Sequence, residues 1–411
     1  EERFAKGWDQ TRRDRLARQL ATGIVPEGTE LPPRNDGVRP WDSYGDHEQR
    51  LMVRLAGAYA AMLEHFDSQL GRLVDWLEQT RWLDDTVVCV LSDNGASQEG
   101  GPRGAVNAMA VFNMVGESMD DKVARLDDIG GPDTHANFPT GWAMASNTPL
   151  KRYKQNTHGG GVRDPLVVRS PRHVDDPGGL RHHFSHVSDL APTLLELIGI
   201  ERDPGMTGSS FAATIRDPAA ATEKRTQYFE MFGHRGIWRD GWKAVAYHPP
   251  GTPFDDDAWE LYDLANDFSE TRDLAAEQPE RLAELQDLWW REARANKVLP
   301  LDDRFGERFA ENAERYHGTR TRYEFWRGMG HLPTDVAPDL RSRSYLIEAE
   351  VEIPDEGAQG VLIAHGDATC GYALFVRDGH LVHDLSVGGA HEPVSYTHLT
   401  LPTTLNSCVC R

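Results

Sequence analysis

Long apolar runs, cysteine and positive charge are all scarce in this chain of 411 residues. Its apolar stretches fall far short of the roughly 20 residues a bilayer-spanning helix needs, and no basic-then-apolar signal peptide opens the sequence. Membrane insertion is therefore not expected. The four cysteines, Cys89, Cys370, Cys408 and Cys410, form no framework through the folded part and no zinc-type pairing beyond the terminal Cys-Val-Cys, so neither disulfides nor thiolate metals are expected. Lys and Arg number 44 against 65 Asp and Glu, a net charge of -21, which disfavours nucleic acid and anionic lipid as partners. An anionic substrate must then be captured by a local cationic site. Because the chain opens at Glu1 rather than Met, its N-terminus reads as cut and its compartment, cytoplasmic or periplasmic, stays undetermined. No solenoid repeat or low-complexity tract occurs.

What is present is enough apolar content, 39%, for two or three domains with real cores. Leu55, Tyr59, Met62, Leu63, Phe66, Leu70, Leu73, Val74 and Leu77 recur at helical spacing over 51 to 79, predicting an amphipathic helix with one face on a sheet. Thr86 to Leu91 and Pro165 to Arg169 read as strands buried on both faces, as parallel strands are. A helix follows at 189 to 198, with Ser188 or Asp189 as cap, Pro192 in its first turn and Gly199 after it. The alternation predicts an α/β fold, a largely parallel sheet between helices, over residues 1–224. Short strands then predict a small antiparallel sheet over 225–300, with Asp240-Gly241 as a hairpin turn and a covering helix at 279 to 296 that buries Leu282, Leu285, Leu288 and Trp289. Residues 301–340 read as a linker and 341–393 as a truncated all-β module. From Val394 the sequence resembles a translated sequencing adapter, so 394–411 is set aside from fold reasoning.

Two clusters carry chemistry. Asp93 and Asn94 stand where the first strand runs out, and open α/β sheets bind ligands at the carboxyl ends of strands. Their oxygens suit a hard cation, Ca²⁺ or Mg²⁺, rather than Zn²⁺. The same residues also dominate ordinary turns, so spacing alone leaves both readings open. The second cluster is Asn147-Thr148-Pro149-Leu150-Lys151-Arg152-Tyr153-Lys154, followed by Gly159-Gly160-Gly161-Val162-Arg163-Asp164-Pro165. Three cations in four residues could hold an oxyanion, and the glycines let the backbone approach closely; a solvated basic loop is the alternative.

Taken in order, Gly7-Trp8-Asp9, Tyr59 to Leu77, Ser92-Asp93-Asn94-Gly95, Tyr153-Lys154 with the glycine stretch, Asp189 to Leu195, Asp240-Gly241-Trp242-Lys243 and Trp259 to Leu264 resemble the landmarks of the type I sulfatase family, of the alkaline-phosphatase-like superfamily. The resemblance covers roughly residues 1 to 300, with a weaker similarity to the C-terminal extension of larger bacterial arylsulfatases over 341 to 393. It implies an arylsulfatase-type sulfuric ester hydrolase acting on a small-molecule sulfate ester. It further implies Asp93 and Asn94 as ligands of one divalent cation, and Lys154 as the contact to the sulfate or the leaving-group oxygen. Lys151 and Arg152 are at most supporting charges, His158 before the glycines is read either as reaching the site or as a structural or solvent-facing loop histidine, and His182, His183 and His186 are structural.

The departure from the family is the nucleophile. Neither Cys-x-Pro-Ser-Arg nor Ser-x-Pro-Ser-Arg occurs, so the residue that a formylglycine-generating enzyme would convert to formylglycine is expected ahead of Glu1, with further cation ligands, and the chain as written is expected to be inactive. In the intact enzyme the resemblance implies attack on sulfur by hydrated formylglycine, with cation and lysines neutralising the sulfate oxygens. Two alternatives remain: a phosphodiester or phosphonate monoester hydrolase of the same superfamily, which Asn94 disfavours in its two-zinc form, and a noncatalytic carbohydrate-binding protein using the β module.

Overall fold

The computed structural model describes residues 1–396 apart from 113–114, 305, 334–335, 341–342, 355, 367–369 and 388–389. In chain order its elements are α1 (Gly7–Ala21), α2 (Asp46–Gln79), β1 (Val88–Leu91), α3 (Ala108–Phe112), α4 (Met119–Ala124), α5 (Thr140–Ser146), α6 (Gly159–Val162), β2 (Leu166–Arg169), α7 (Leu190–Leu197), α8 (Ala212–Arg216), β3 (Thr226–Met231), β4 (His234–Arg239), β5 (Trp242–Ala246), β6 (Trp259–Asp263), α9 (Pro279–Ala295), α10 (Gly306–His317), β7 (Gly360–Gly366), β8 (Cys370–Arg377), β9 (His380–Val387) and β10 (Ala390–Tyr396). They fall into two units, Glu1–Gly104 with Ala136–Asp303, and Ala105–His135 with the chain from Arg304 onward. No described helix is long and apolar enough to cross a membrane.

In the first unit α1 and α5 pack through aromatic rings. Trp8, fully buried, meets Trp41, Tyr44 and Trp142 edge-on with centroids 4.8, 5.4 and 5.9 Å away, the arrangement that ring quadrupoles favour. Gly141 makes the approach possible, since a Cβ there would lie 2.6 Å from the Trp8 ring. The helix predicted over 51 to 79 is present as α2. Its N-terminal part buries Leu51, Met52, Leu55 and Ala56, while Met62, Phe66, Leu73 and Trp76 further along are exposed.

Strands β1 and β2 pair with each other antiparallel, Val88 opposite Arg169 and Leu91 opposite Leu166. This corrects the parallel direction expected from the sequence, and the double burial as well, for Leu91 and Val167 are exposed. The connection explains the direction. Ser92 N–H donates to Pro165 O and Gly95 N–H to Gly161 O, each at 3.4 Å, so β2 begins beside the end of β1 and runs back along it. An unbroken apolar run reports the burial a strand suits, and carries no information on its direction. The α/β class stands, because helices and strands alternate through this part of the chain. Helix α7 follows Asp189 and stops before Gly199, whose φ is 74°, as its sequence signals predict. The Asp189 carboxylate is buried against Lys224 at 3.1 Å.

The small sheet is an antiparallel meander in the order β3-β4-β5-β6. Its β4–β5 turn is Asp240-Gly241, both with positive φ, 46° and 87°, the conformation a two-residue hairpin turn requires. Helix α9 lays Leu285, Leu288 and Trp289 on Ile237, Ala244 and Leu261 of the sheet, with Leu282 partly buried beside them. The Trp289 indole N–H donates to Phe229 O at 3.0 Å, satisfying the one polar atom this ring brings into the core.

In the second unit β7 to β10 form an antiparallel sheet in chain order, centred on Leu374, Val376 and Leu381. Helix α10 occupies part of the stretch read as a linker. Strand β10 continues three residues into the stretch set aside, pairing Val394, Ser395 and Tyr396 with His383, Val382 and Leu381. The remainder of that stretch, with Cys408 and Cys410, lies outside the described residues.

Candidate active site

The end of β1 and the loop from Asn147 to Pro165 are held together by backbone and by one amide side chain. Asn147 Oδ1 accepts from Ala96 N–H at 2.9 Å, while its Nδ2 donates to Arg152 O at 3.2 Å and Gly160 O at 2.9 Å. Lys154 N–H donates to Ala96 O at 3.1 Å. The fit is tight enough to require glycine: a Cβ on Gly95 would lie 1.7 Å from Gly160 O, and one on Gly160 2.1 Å from Arg152 O. The sequence reading of close backbone approach is thus realised in detail, and Asn147, which it quoted without a role, is the residue that links the three segments.

The three cations of the loop do not converge: each takes a different partner. Lys151 Nζ reaches Glu260 at 2.5 Å and the Tyr262 hydroxyl at 2.8 Å, on β6. Arg152 lies over the Tyr247 ring at 4.1 Å and pairs with Asp36 at 3.6 Å. Lys154 alone turns toward the strand-end turn, where its ammonium bonds Glu99 at 2.9 Å. His158 is buried, with Nε2 3.3 Å from Glu260, so its ring is committed to the small sheet. Burial pushes its pKa down, against the hydrogen bond to Glu260 and the charge of Glu270, which push it up. His183 and His186 bond Thr214 and Ser188 at 3.1 and 2.9 Å, a structural use.

Asp93 is exposed at the tip of the turn and Asn94 is half-buried beside it, its Nδ2 donating to Gly95 O at 2.9 Å. Asp164, immediately before β2, is pushed up to about 7, by burial first and by the charge of Asp93 second. Two carboxylates that repel one another beside an amide oxygen make an all-oxygen donor set, which fits a hard divalent cation. Among the described residues no group of three or more His, Cys, Asp or Glu side chains could by itself hold a metal. Cys89 does not fit the nucleophile: it lies within β1, and burial raises its thiol pKa. Sequence reasoning passed over Asp164 and Glu99, because neither carries a spacing signal and each acquires significance only through what folds beside it.

A profile of the family described as Sulfatase matches residues 3–200, and one described as N-sulphoglucosamine sulphohydrolase, C-terminal, matches residues 151–294. The chain belongs to the type I sulfatase family. An uncharacterized sulfatase of Schizosaccharomyces pombe is 31% identical over 73% of this chain and 55% of its own length. An arylsulfatase of Klebsiella aerogenes is 28% identical over 48% of this chain and 41% of its own. The chain spans about half the length of the curated relatives it matches. Among solved structures, that of Ps i-CgsB aligns with a TM-score of 0.42 at 18% identity, over 73% of this chain and 57% of that one.

Proposed function

We propose that this chain carries the cation-binding turn and the sulfate-binding lysine of an arylsulfatase-type sulfuric ester hydrolase acting on a small-molecule sulfate ester. The observation that carries the reading is the hydrogen bond from Lys154 N–H to Ala96 O, which fastens the lysine loop two residues past Asn94. In this reading Asp93 and Asn94 offer oxygens to one Ca²⁺ or Mg²⁺ ion, and Lys154 exchanges Glu99 for a sulfate oxygen as the anion enters. Such a charge exchange concentrates anion binding locally in a chain of net charge -21. A divalent cation and a formylglycine, the latter made by a formylglycine-generating enzyme, supply charge neutralisation and the nucleophile in this family. The residues here orient the ester and stabilise charge that develops on its oxygens.

The test is hydrolysis of 4-nitrophenyl sulfate, with saturating Ca²⁺ and a formylglycine-generating enzyme, by this chain and by a longer protein that contains it. The chain alone is expected to show no turnover, since none of its described residues supplies a nucleophile at the turn. In the active protein Lys154→Ala lowers kcat/KM by roughly a hundredfold or more, and Lys151→Ala by less. Turnover of the chain alone at the longer protein's rate, the reverse ranking of the lysines, or a preference for 4-nitrophenyl phosphate or phosphonate esters overturns the reading.

A further inference from the structure

Lys154 lies on a loop whose two flanks are gripped by two carboxylates, Glu260 on β6 and Glu270 in the segment after it. On one flank Lys151 bonds Glu260 at 2.5 Å; on the other His158 bonds the second oxygen of the same carboxylate at 3.3 Å. One residue further, Gly159 N–H donates to both oxygens of Glu270 at 3.0 and 2.9 Å, and Glu270 in turn bonds Lys243 of β5 at 2.7 Å. Glu270, Lys243 and His158 are all buried, and Glu270 holds a positive φ of 60°, an uncommon conformation for a residue with a side chain. Burial opposes the charge on both glutamates, yet their partners hold each carboxyl below the usual carboxylate range. A buried charge matched on every side fixes geometry strictly, because any displacement leaves it unpaired in a medium that solvates it poorly.

We propose that Glu260 and Glu270 are positioning residues that clamp both flanks of the Lys154 loop to the small sheet and so set where the Lys154 ammonium sits. The clamp rests on the reading of Lys154 as the sulfate-binding lysine. It also gives the small sheet a part in the site: β5 and β6 act as the rigid platform from which the loop is aimed, in keeping with the need of a binding group for a locked supporting shell.

Hydrogen exchange read by mass spectrometry on the full chain tests this without turnover. In Glu260→Gln and in Lys151→Gln the amides from Lys154 to Gly161 exchange roughly tenfold faster, while those of β3, β4 and α9 stay within about twofold. The double variant is no faster than Glu260→Gln alone, since that substitution already removes the partner of Lys151. Lys151 is partly exposed, so its variant keeps the test available should a glutamate variant fold poorly. Unchanged loop exchange in both single variants overturns the proposal, and so does an equal rise across the whole sheet, the signature of a general structural role. If exchange responds as stated while 4-nitrophenyl sulfate turnover by an active preparation of Glu260→Gln is unaltered, the clamp stands and the assignment of Lys154 to sulfate falls.

Discussion

The small sheet under α9 closes its apolar face to water, whereas the β1–β2 pair and the C-terminal part of α2 each leave large apolar side chains exposed. In the first, Ile237, Ala244, Leu261 and Trp289 are wholly excluded from solvent; in the second, Val167 is 62% exposed, and Phe66 and Trp76 of α2 are each more than half exposed. The small sheet carries its own cover, since the next long element, α9, packs Leu285, Leu288 and Trp289 on it. The β1–β2 pair is covered on one face only, where Leu166 and Val168 pack against Leu197, Phe211, Ala212 and Ile215 of the α7–α8 region, and its Leu91 and Val167 stay exposed. Apolar patterning therefore measures what a segment is built to bury, and the presence of the burying partner is a separate fact.

The widest break in that comparison is expected from Trp289→Ala. Removing a fully buried indole from a closed core should destabilise it by about 3–5 kcal/mol, seen as a lowered urea midpoint of the signal from the small sheet. A loss below about 1 kcal/mol would mean that this core is as open as the other. Acid should sharpen the contrast next. His234 accepts from His248 N–H at 2.9 Å, and burial first, with the nearby charges of His248 and Arg152, holds its pKa at about 4. A folded-state value below the ordinary 6.5 means full stability above pH 6.5, then progressive loss down to pH 4 as the unfolded chain takes up a proton the folded one refuses. The loss should amount to roughly 1–3 kcal/mol and shrink in His234→Gln, as read by melting at pH 7 and pH 4.5. The smallest effect belongs to the open face. Phe66→Ser with Trp76→Ser should change stability by no more than about 0.5 kcal/mol, while reducing self-association and dye binding measured by light scattering and ANS fluorescence. A large loss of stability there would show that those side chains are already covered.

Local order in this protein was legible from residue pattern alone. The period of α2, the limits of α7 between Asp189 and Gly199, the Asp240-Gly241 turn and the residues α9 buries all follow from preferences that act over a few positions. So did the need for glycine at 160 and 161, because close backbone approach is a demand a single residue type meets. The direction of β1 and β2 was not legible: it depends on hydrogen bonds between Ser92–Gly95 and Gly161–Pro165, far apart in the chain. Nor was the fate of the three cations. Lys151, Arg152 and Lys154 are near neighbours in sequence and alike in charge, yet one is claimed by Glu260, one by Tyr247 and Asp36, and one by Glu99. Sequence sets how many charges a loop carries, whereas each charge's partner is chosen by segments that only the folded chain brings within a few ångströms, where a buried ion must find a counterion or not be buried at all.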